Sequence, residues 1–177
     1  MAKNLEQIIV VDLEATMNQS VMEVIEIGIA ILHTKPLKID PPSAIMVIPT
    51  KSKVTAECTE LTSITPEMVT AEAGAVSFKE ACEQVKKLAP KTTTWASWGD
   101  YDRRQMERQC KAESIAYPFG VTHLNVKNLF ALSMDLEREL GMDAALKLMK
   151  MDLIGYHHRG CDDAFNIARL LRAILDK

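Results

Sequence analysis

The first third of the chain contains three apolar segments of strand length, with no helical pattern between them. Residues 8–13 form a short apolar run interrupted by one acid, residues 24–31 alternate with isoleucine at every second position, and residues 44–48 form a third run that ends at Pro49. Prolines between the second and third segments indicate a connection there. Three strands joined without helices predict an antiparallel meander, so the chain begins with a sheet.

From residue 77 onwards, helical and strand patterns alternate. Ser77 and Glu80 form a capping box before a helix that ends at Pro90, residues 92–98 are β-prone, and residues 101–112 are again helical. A weaker strand at 122–126 precedes helices at 127–140, 142–150 and about 162–175. If the later strands share one sheet, the strand-helix-strand order implies a right-handed parallel crossover. We therefore predict an α/β fold and a single domain over residues 1–177.

Composition excludes a disordered chain, a collagen and a coiled coil. The chain has 177 residues, of which 47% are hydrophobic and 25% charged, as in an ordinary packed domain. Its four cysteines lack zinc-ligand spacing, and no apolar run has the length of a signal peptide or a membrane span. We expect reduced thiols and a soluble, cytoplasmic protein without a membrane partner. The net charge of −3 argues against a coat protein that binds nucleic acid through a basic face.

Two carboxylates stand at the end of the first predicted strand. Asp12 and Glu14 are two residues apart, so both side chains leave the same face of the strand and can converge on one ion. Carboxylate oxygens suit hard cations such as Mg²⁺ or Mn²⁺. The alternative for an isolated pair of this kind is a solvated strand end.

A second pair of acids follows the fourth predicted strand. Asp100 is placed to cap the next helix, and Asp102 has Met106 one turn later, on the side where that helix packs. Ligands bind at the carboxyl ends of strands in open α/β sheets. The alternative is that both acids stabilise the positive N-terminus of the helix.

Histidines precede a third pair of acids, and two registers are possible: His157 with Asp162, or His158 with Asp163. The helical phase favours Asp163 as the inward acid, because it shares its face with four apolar residues, Ile167, Leu170, Leu171 and Ile174. An acid on a buried stripe is costly unless it is paired or binds a metal. His158 is then a suitable base for a proton of a metal-bound water.

Taken in order, these segments resemble the three motifs of the DEDDh 3′-5′ exonucleases over nearly the whole chain: residues 12–16 (Asp-Leu-Glu-Ala-Thr), residues 98–102 (Trp-Gly-Asp-Tyr-Asp), and His158 with Asp163. The first motif and residues 60–65 are similar to the branch that contains the enhanced-RNAi and histone-mRNA exonucleases and the KapD-like bacterial proteins. Ser63 stands where that branch usually has glycine, which leaves the local turn open. Arg159 stands where the tyrosine subclass has its tyrosine, so that subclass is excluded.

The resemblance implies a ribonuclease H-like α/β fold: a mixed five-stranded sheet, with three antiparallel strands and then parallel ones, flanked by helices. It also implies a metal-dependent 3′-5′ exonuclease that releases nucleoside monophosphates from a free 3′ end of single-stranded RNA or DNA, with RNA preferred. Asp12, Glu14 and Asp163 would hold one of two Mg²⁺ or Mn²⁺ ions. Asp12 would bridge to the second ion, and Asp102 would support it. His158 would be the general base.

The resemblance also suggests residues that bind the substrate. The terminal nucleotide would lie against the backbone of Ala15 and Thr16 and against the side chains of Leu61 and Thr62. Tyr101 could stack on a base, and Arg159 could contact the phosphate backbone. Trp98 could also stack, with core packing as the alternative.

Two rival functions remain open. One is a nucleic-acid-binding module on the same fold with weak or no catalysis, and the other is a small-molecule phosphodiesterase. The complete set of four acids and a histidine speaks against the first, while Leu61 and Thr62 favour a polymeric substrate over the second. The negative net charge does not exclude nucleic acid, because two divalent cations would make the loaded protein weakly positive.

Overall fold

The computed structural model describes residues 4–88, 90 and 93–176, and its centre is a sheet of six strands. The strands are β1 (Asn4–Ala15), β2 (Val24–Thr34), β3 (Leu37–Ile39), β4 (Ser43–Met46), β5 (Thr93–Ser97) and β6 (His123–Asn125). Thr92, with which the predicted fourth strand begins, lies outside the described residues.

The sheet is mixed, as predicted. Its order is β3-β2-β1-β5-β6, and β4 also pairs with β2. The pairs among β1 to β4 are antiparallel, whereas β1–β5 and β5–β6 are parallel. The predicted class of fold is thus confirmed, but the sheet has six strands instead of five. The additional strand is β3, which lies in the proline-containing connection and pairs Leu37 with Thr34 and Ile39 with Leu32.

Six α-helices occur in the described part of the chain: α1 (Ala56–Thr62), α2 (Phe78–Leu88), α3 (Tyr101–Glu113), α4 (Val126–Ser133), α5 (Met142–Leu148) and α6 (Gly160–Leu175). The helix predicted for 127–140 ends early because Asp135 takes a left-handed conformation and the Leu136 amide donates to the Ala131 carbonyl. Helix α1 was not predicted, since its seven residues are too few to show a clear period. No helix among the described residues has the length and apolar character needed to cross a membrane.

The alternation of side chains along β1 decides which face of the sheet carries the acids. Ile9, Val11 and Leu13 belong to the core cluster that also contains residues of α2 and α3. Ile8 and Val10 belong to the cluster formed with α4, α5 and α6. Since residues two apart share a face, Asp12 and Glu14 lie on the side covered by α6.

Candidate active site

Three carboxylates converge where β1 ends beneath the beginning of α6. Asp12, Glu14 and Asp163 each offer an oxygen atom, and these atoms all lie within 4.8 Å of one another. Glu14 and Asp163 are buried, and Asp12 is partly exposed. The inward phase predicted for Asp163 is correct, because Ile167, Leu170 and Leu171 on its face are fully buried.

The electrostatics of this cluster favour a bound cation. Burial raises the pKa of Asp12 well above its usual value, and the charges of Asp102 and Glu14 raise it further. Burial, together with Asp163 and Glu26, raises the pKa of Glu14 to about 9. Such a group of acids is costly to ionise without a compensating positive charge. Because all its donor atoms are carboxylate oxygens, the set fits hard divalent cations such as Mg²⁺ or Mn²⁺.

Asp102 joins the cluster from α3. It is buried, and its Oδ1 accepts a hydrogen bond of 2.9 Å from the amide of Leu13. Burial raises the pKa of Asp102 to about 6, although the bond from Leu13 acts in the opposite direction. Met106, one turn later, is fully buried, so the predicted orientation of this helix face is correct.

Asp100 occupies the N-cap position of α3, as predicted, but its side chain does not cap the helix. Its backbone has helical angles (φ −108°, ψ −2°) instead of the extended ones of a side-chain cap, and its side chain makes no capping hydrogen bond. The carboxylate instead accepts a hydrogen bond of 3.2 Å from Arg103.

Both candidate histidines reach the site, in different ways. Nδ1 of His157 lies 3.0 Å from Oδ2 of Asp163, and the same oxygen accepts a hydrogen bond of 2.9 Å from the amide of His158. The backbone of His158, whose amide makes this hydrogen bond, has a left-handed conformation (φ 64°). The two rings stack with their centroids 3.9 Å apart. Burial, together with the neighbouring His157, lowers the pKa of His158.

The segment that carries the histidines is fastened to α6 by polar contacts. Asn166 donates to the carbonyl of Ile154 (2.8 Å) and accepts from its amide (3.2 Å), and Asp162 accepts from the amide of Tyr156 (2.8 Å). Gly155 has φ 79°, and a Cβ there would lie 2.2 Å from Cγ of Asp162. Asp162, an acid in the first turn of α6, therefore also holds this segment in place. This role of Asn166 was not predicted from the sequence. Its position one helical turn after Asp162 was a signal, because residues four apart lie on the same face of a helix.

The four acids Asp12, Glu14, Asp102 and Asp163 and the two histidines line a pocket of about 360 Å³. Tyr101 and Trp98 are part of its wall. Tyr101 is half-exposed, whereas Trp98 is anchored by a hydrogen bond of 3.1 Å from its indole nitrogen to the Leu140 carbonyl. The structure therefore presents Tyr101, more than Trp98, to a ligand.

The other residues suggested for substrate binding lie on the neighbouring segments. Ala15 and Thr16 are buried, and the hydroxyl of Thr16 hydrogen-bonds to that of Ser52. Leu61 is exposed, whereas Thr62 is buried and donates its hydroxyl to the Cys58 carbonyl. Of these four side chains, only that of Leu61 is presented to solvent.

The structure shows an ion pair of Arg159 that the sequence did not indicate, and the phosphate contact expected for this residue stays a prediction. Its Nε lies 3.2 Å from Oε2 of Glu26, a fully buried carboxylate on β2, and it is absent from the pocket wall described above. Glu26 was not singled out in the sequence. The signal for it was an acid inside an otherwise apolar strand, since such a residue needs a buried partner.

The comparisons with known proteins agree with this geometry. The model of the Exonuclease family matches residues 9–171. A curated relative, 3′-5′ exoribonuclease 1 of Rattus norvegicus, is 27% identical over 180 aligned residues, which include 93% of this chain and 52% of the rat protein. The chain thus spans about half the length of that relative.

Two solved structures are similar over nearly the entire chain. The nuclease domain of 3′hExo, a DEDDh family member bound to rAMP, has 26% identity and a TM-score of 0.86, over 99% of this chain and 94% of that one. A 3′-exonuclease that recognises the 3′ end of the histone mRNA stem-loop has 25% identity and a TM-score of 0.87, over 98% of this chain and 65% of that one.

Proposed function

This chain belongs to the exonuclease family, and from that premise we propose that it is a 3′-5′ exonuclease acting on single-stranded nucleic acid. It releases nucleoside monophosphates from a free 3′ end and prefers RNA to DNA. The observation that carries the proposal is the convergence of Asp12, Glu14 and Asp163, with oxygens within 4.8 Å of one another, beside Asp102 and a histidine pair.

Two Mg²⁺ or Mn²⁺ ions are the cofactors in this proposal. Asp12, Glu14 and Asp163 would hold one of them, and Asp12 and Asp102 would hold the other. The chemistry that such a pair supplies is activation of the attacking water and stabilisation of the leaving 3′ oxygen.

His158 is the general base in this proposal. Its ring lines the pocket, and within the described part of the chain that ring makes no side-chain hydrogen bond, whereas the ring of His157 contacts Asp163. A lowered pKa keeps the imidazole of His158 neutral at neutral pH, so that its free nitrogen can accept a proton.

The polarity and the preference for RNA rest on similarity and on the accessible side chains. The rat relative is named a 3′-5′ exoribonuclease, and the 3′hExo domain was solved with rAMP. Leu61 and Tyr101, the two residues proposed to contact a terminal base, have exposed side chains. Single strands are favoured because no base pair has to be opened before the scissile phosphate reaches the acids.

The test uses linear RNA and DNA of one sequence, labelled at either end, together with a covalently closed circle. With Mg²⁺ or Mn²⁺, we expect mononucleotides from the 3′ label at early times, a ladder from the 5′ label, faster loss of RNA than of DNA, and an intact circle. EDTA and the variant Asp163→Ala should each stop digestion.

Other outcomes would favour the rival functions. Cleavage of the circle at a rate comparable to the linear strand would indicate an endonuclease. Binding of oligonucleotides without hydrolysis would indicate a binding module. Hydrolysis of bis(p-nitrophenyl) phosphate with no attack on oligonucleotides would indicate a small-molecule phosphodiesterase.

A further inference from the structure

Glu26 is a fully buried carboxylate opposite Glu14 in the β1–β2 pairing. Its Oε2 accepts a hydrogen bond of 3.2 Å from Nε of Arg159 and one of 3.0 Å from the amide of Gly160. A buried carboxylate is tolerated only when its hydrogen bonds are satisfied and its charge is balanced. Both conditions are met here by two consecutive residues at the beginning of α6.

The backbone of α6 is in direct contact with the sheet at this point. A Cβ on Gly28 would lie 1.8 Å from the carbonyl carbon of Gly160, and one on Gly160 would lie 3.0 Å from the carbonyl oxygen of Asp12. Asp12 and Gly28 are partners in the β1–β2 register. Three backbone segments therefore meet at Gly160 without an intervening side chain, and a small displacement of α6 changes this contact.

Asp163 follows Gly160 by three residues and lies in the first turn of α6. Its carboxylate has to meet those of Asp12 and Glu14, which are fixed by β1. The start of α6 thus sets the spacing of the acids. We propose that Glu26 is a positioning residue for the reaction: through Arg159 and the amide of Gly160, it fixes the beginning of α6, and with it Asp163, relative to Asp12 and Glu14.

Glu26 acts through other residues and does not belong to the cation-binding set itself. The group of acids with mutually close oxygens in the described chain consists of Asp12, Glu14 and Asp163, without Glu26. The guanidinium of Arg159 balances the charge of Glu26. The inference rests on the proposed function for its consequence in catalysis, but the spacing of the acids can be measured without substrate.

The test compares Glu26→Gln with a matched control, Glu23→Gln. Glu23 is also a buried glutamate of the β1–β2 region, but its oxygens accept hydrogen bonds from residues 50–52 instead of from α6. The first measurement is Mn²⁺ affinity by calorimetry in the absence of nucleic acid. The others are kcat and KM on a linear RNA and the midpoint of thermal unfolding.

For Glu26→Gln we expect Mn²⁺ affinity and kcat to fall by about 10 to 100-fold, as for other groups that orient metal ligands, with KM within about threefold of the wild type. For Glu23→Gln we expect lower thermal stability with unchanged Mn²⁺ affinity. If Glu26→Gln keeps Mn²⁺ affinity and kcat within twofold of the wild type, or if both variants lose Mn²⁺ affinity equally, the inference is wrong.

A second variant covers the case in which Glu26→Gln does not fold. Gly160→Ala leaves every charge in place but puts a methyl group 3.0 Å from the Asp12 carbonyl oxygen and 3.4 Å from Cδ of Glu26, which moves α6 outwards. It too should bind Mn²⁺ at least about tenfold more weakly, and unchanged affinity in a folded Gly160→Ala protein would overturn the inference. A wild type that binds Mn²⁺ but digests neither RNA nor DNA would contradict the proposed function alone. A wild type that does not bind Mn²⁺ would contradict both.

Discussion

Asp102 accepts a hydrogen bond of 2.9 Å from the backbone amide of Leu13, the residue between Asp12 and Glu14 on β1. One carboxylate thereby joins two of the acidic motifs, which are 89 residues apart in the chain. The bond satisfies a buried amide and holds the first turn of α3 against the end of β1. Asp102 consequently has a structural role in addition to the proposed support of a cation.

We predict that the two roles of Asp102 separate in two variants. Asp102→Asn retains an oxygen that can accept from Leu13, whereas Asp102→Ala leaves that buried amide unsatisfied, at a cost of about 1–3 kcal/mol. Both should lose most RNA digestion, but Asp102→Ala should unfold at a lower urea concentration than Asp102→Asn. Equal stability of the two variants, measured at pH 7 in EDTA, would show that the hydrogen bond contributes nothing.

Much of the site could be predicted because its residues leave local signals. Asp12 and Glu14 interrupt an apolar strand with the period of two that places them on one face, and Asp163 interrupts an apolar helical stripe. Each of these acids conflicts with its own local pattern. A conflict of this kind is typical of functional positions, where local rules give way to chemistry.

The features that the sequence did not reveal depend on specific contacts between residues, one of them between segments that are distant in the chain. The partner of Arg159 is 133 residues away on β2, so no local pattern could reveal the ion pair with Glu26. Strand β3 has only three residues and depends on pairing with the end of β2. The carboxylate of Asp100 accepts a hydrogen bond from Arg103, one turn later. The preference of aspartate for N-cap positions takes no account of such a partner.

We predict that the metal-free protein loses stability as pH rises from 7 to 9. The pKa of Glu14 is about 9 in the folded state, above its ordinary value, so the folded protein retains a proton that the unfolded chain has released. The resulting loss is at most about 1.4 kcal/mol per pH unit for one proton. Thermal unfolding in EDTA at several pH values measures it.

The variant Glu14→Gln isolates this contribution, because its stability should vary less with pH over the same range. Added Mg²⁺ should raise the unfolding temperature of the wild type more at pH 8.5 than at pH 7, since cation binding requires ionised carboxylates. A wild-type unfolding temperature that rises between pH 7 and 9 in EDTA would contradict the raised pKa of Glu14.

We predict that His158 is required for hydrolysis and that His157 is dispensable. His157→Ala removes a ring that contacts Asp163 (3.0 Å) and should change kcat by less than about tenfold. His158→Ala removes the proposed base and should lower kcat by about 10² to 10⁴-fold. Parallel assays on the same linear RNA, with Mn²⁺ affinity as the control for the metal site, decide between the registers. A severe loss in His157→Ala alone would reverse the assignment.

Ser63, where the resembled branch usually has glycine, ends α1 in a left-handed conformation with φ 60° and ψ 9°, and its amide donates to the Thr59 carbonyl. A side chain in this conformation costs about 1–2 kcal/mol, part of which is offset because glycine is more flexible in the unfolded chain. We therefore predict that Ser63→Gly raises the free energy of unfolding by about 0.5 kcal/mol. Ser63→Val should lower the free energy of unfolding by at least about 1 kcal/mol, since a β-branched residue fits this conformation worst.

Urea unfolding of the two variants beside the wild type measures both changes. The Mn²⁺ affinity should be the same in all three proteins because no acid of the site is changed. A Ser63→Gly protein less stable than the wild type would show that the turn gains more from the serine side chain than it loses to strain.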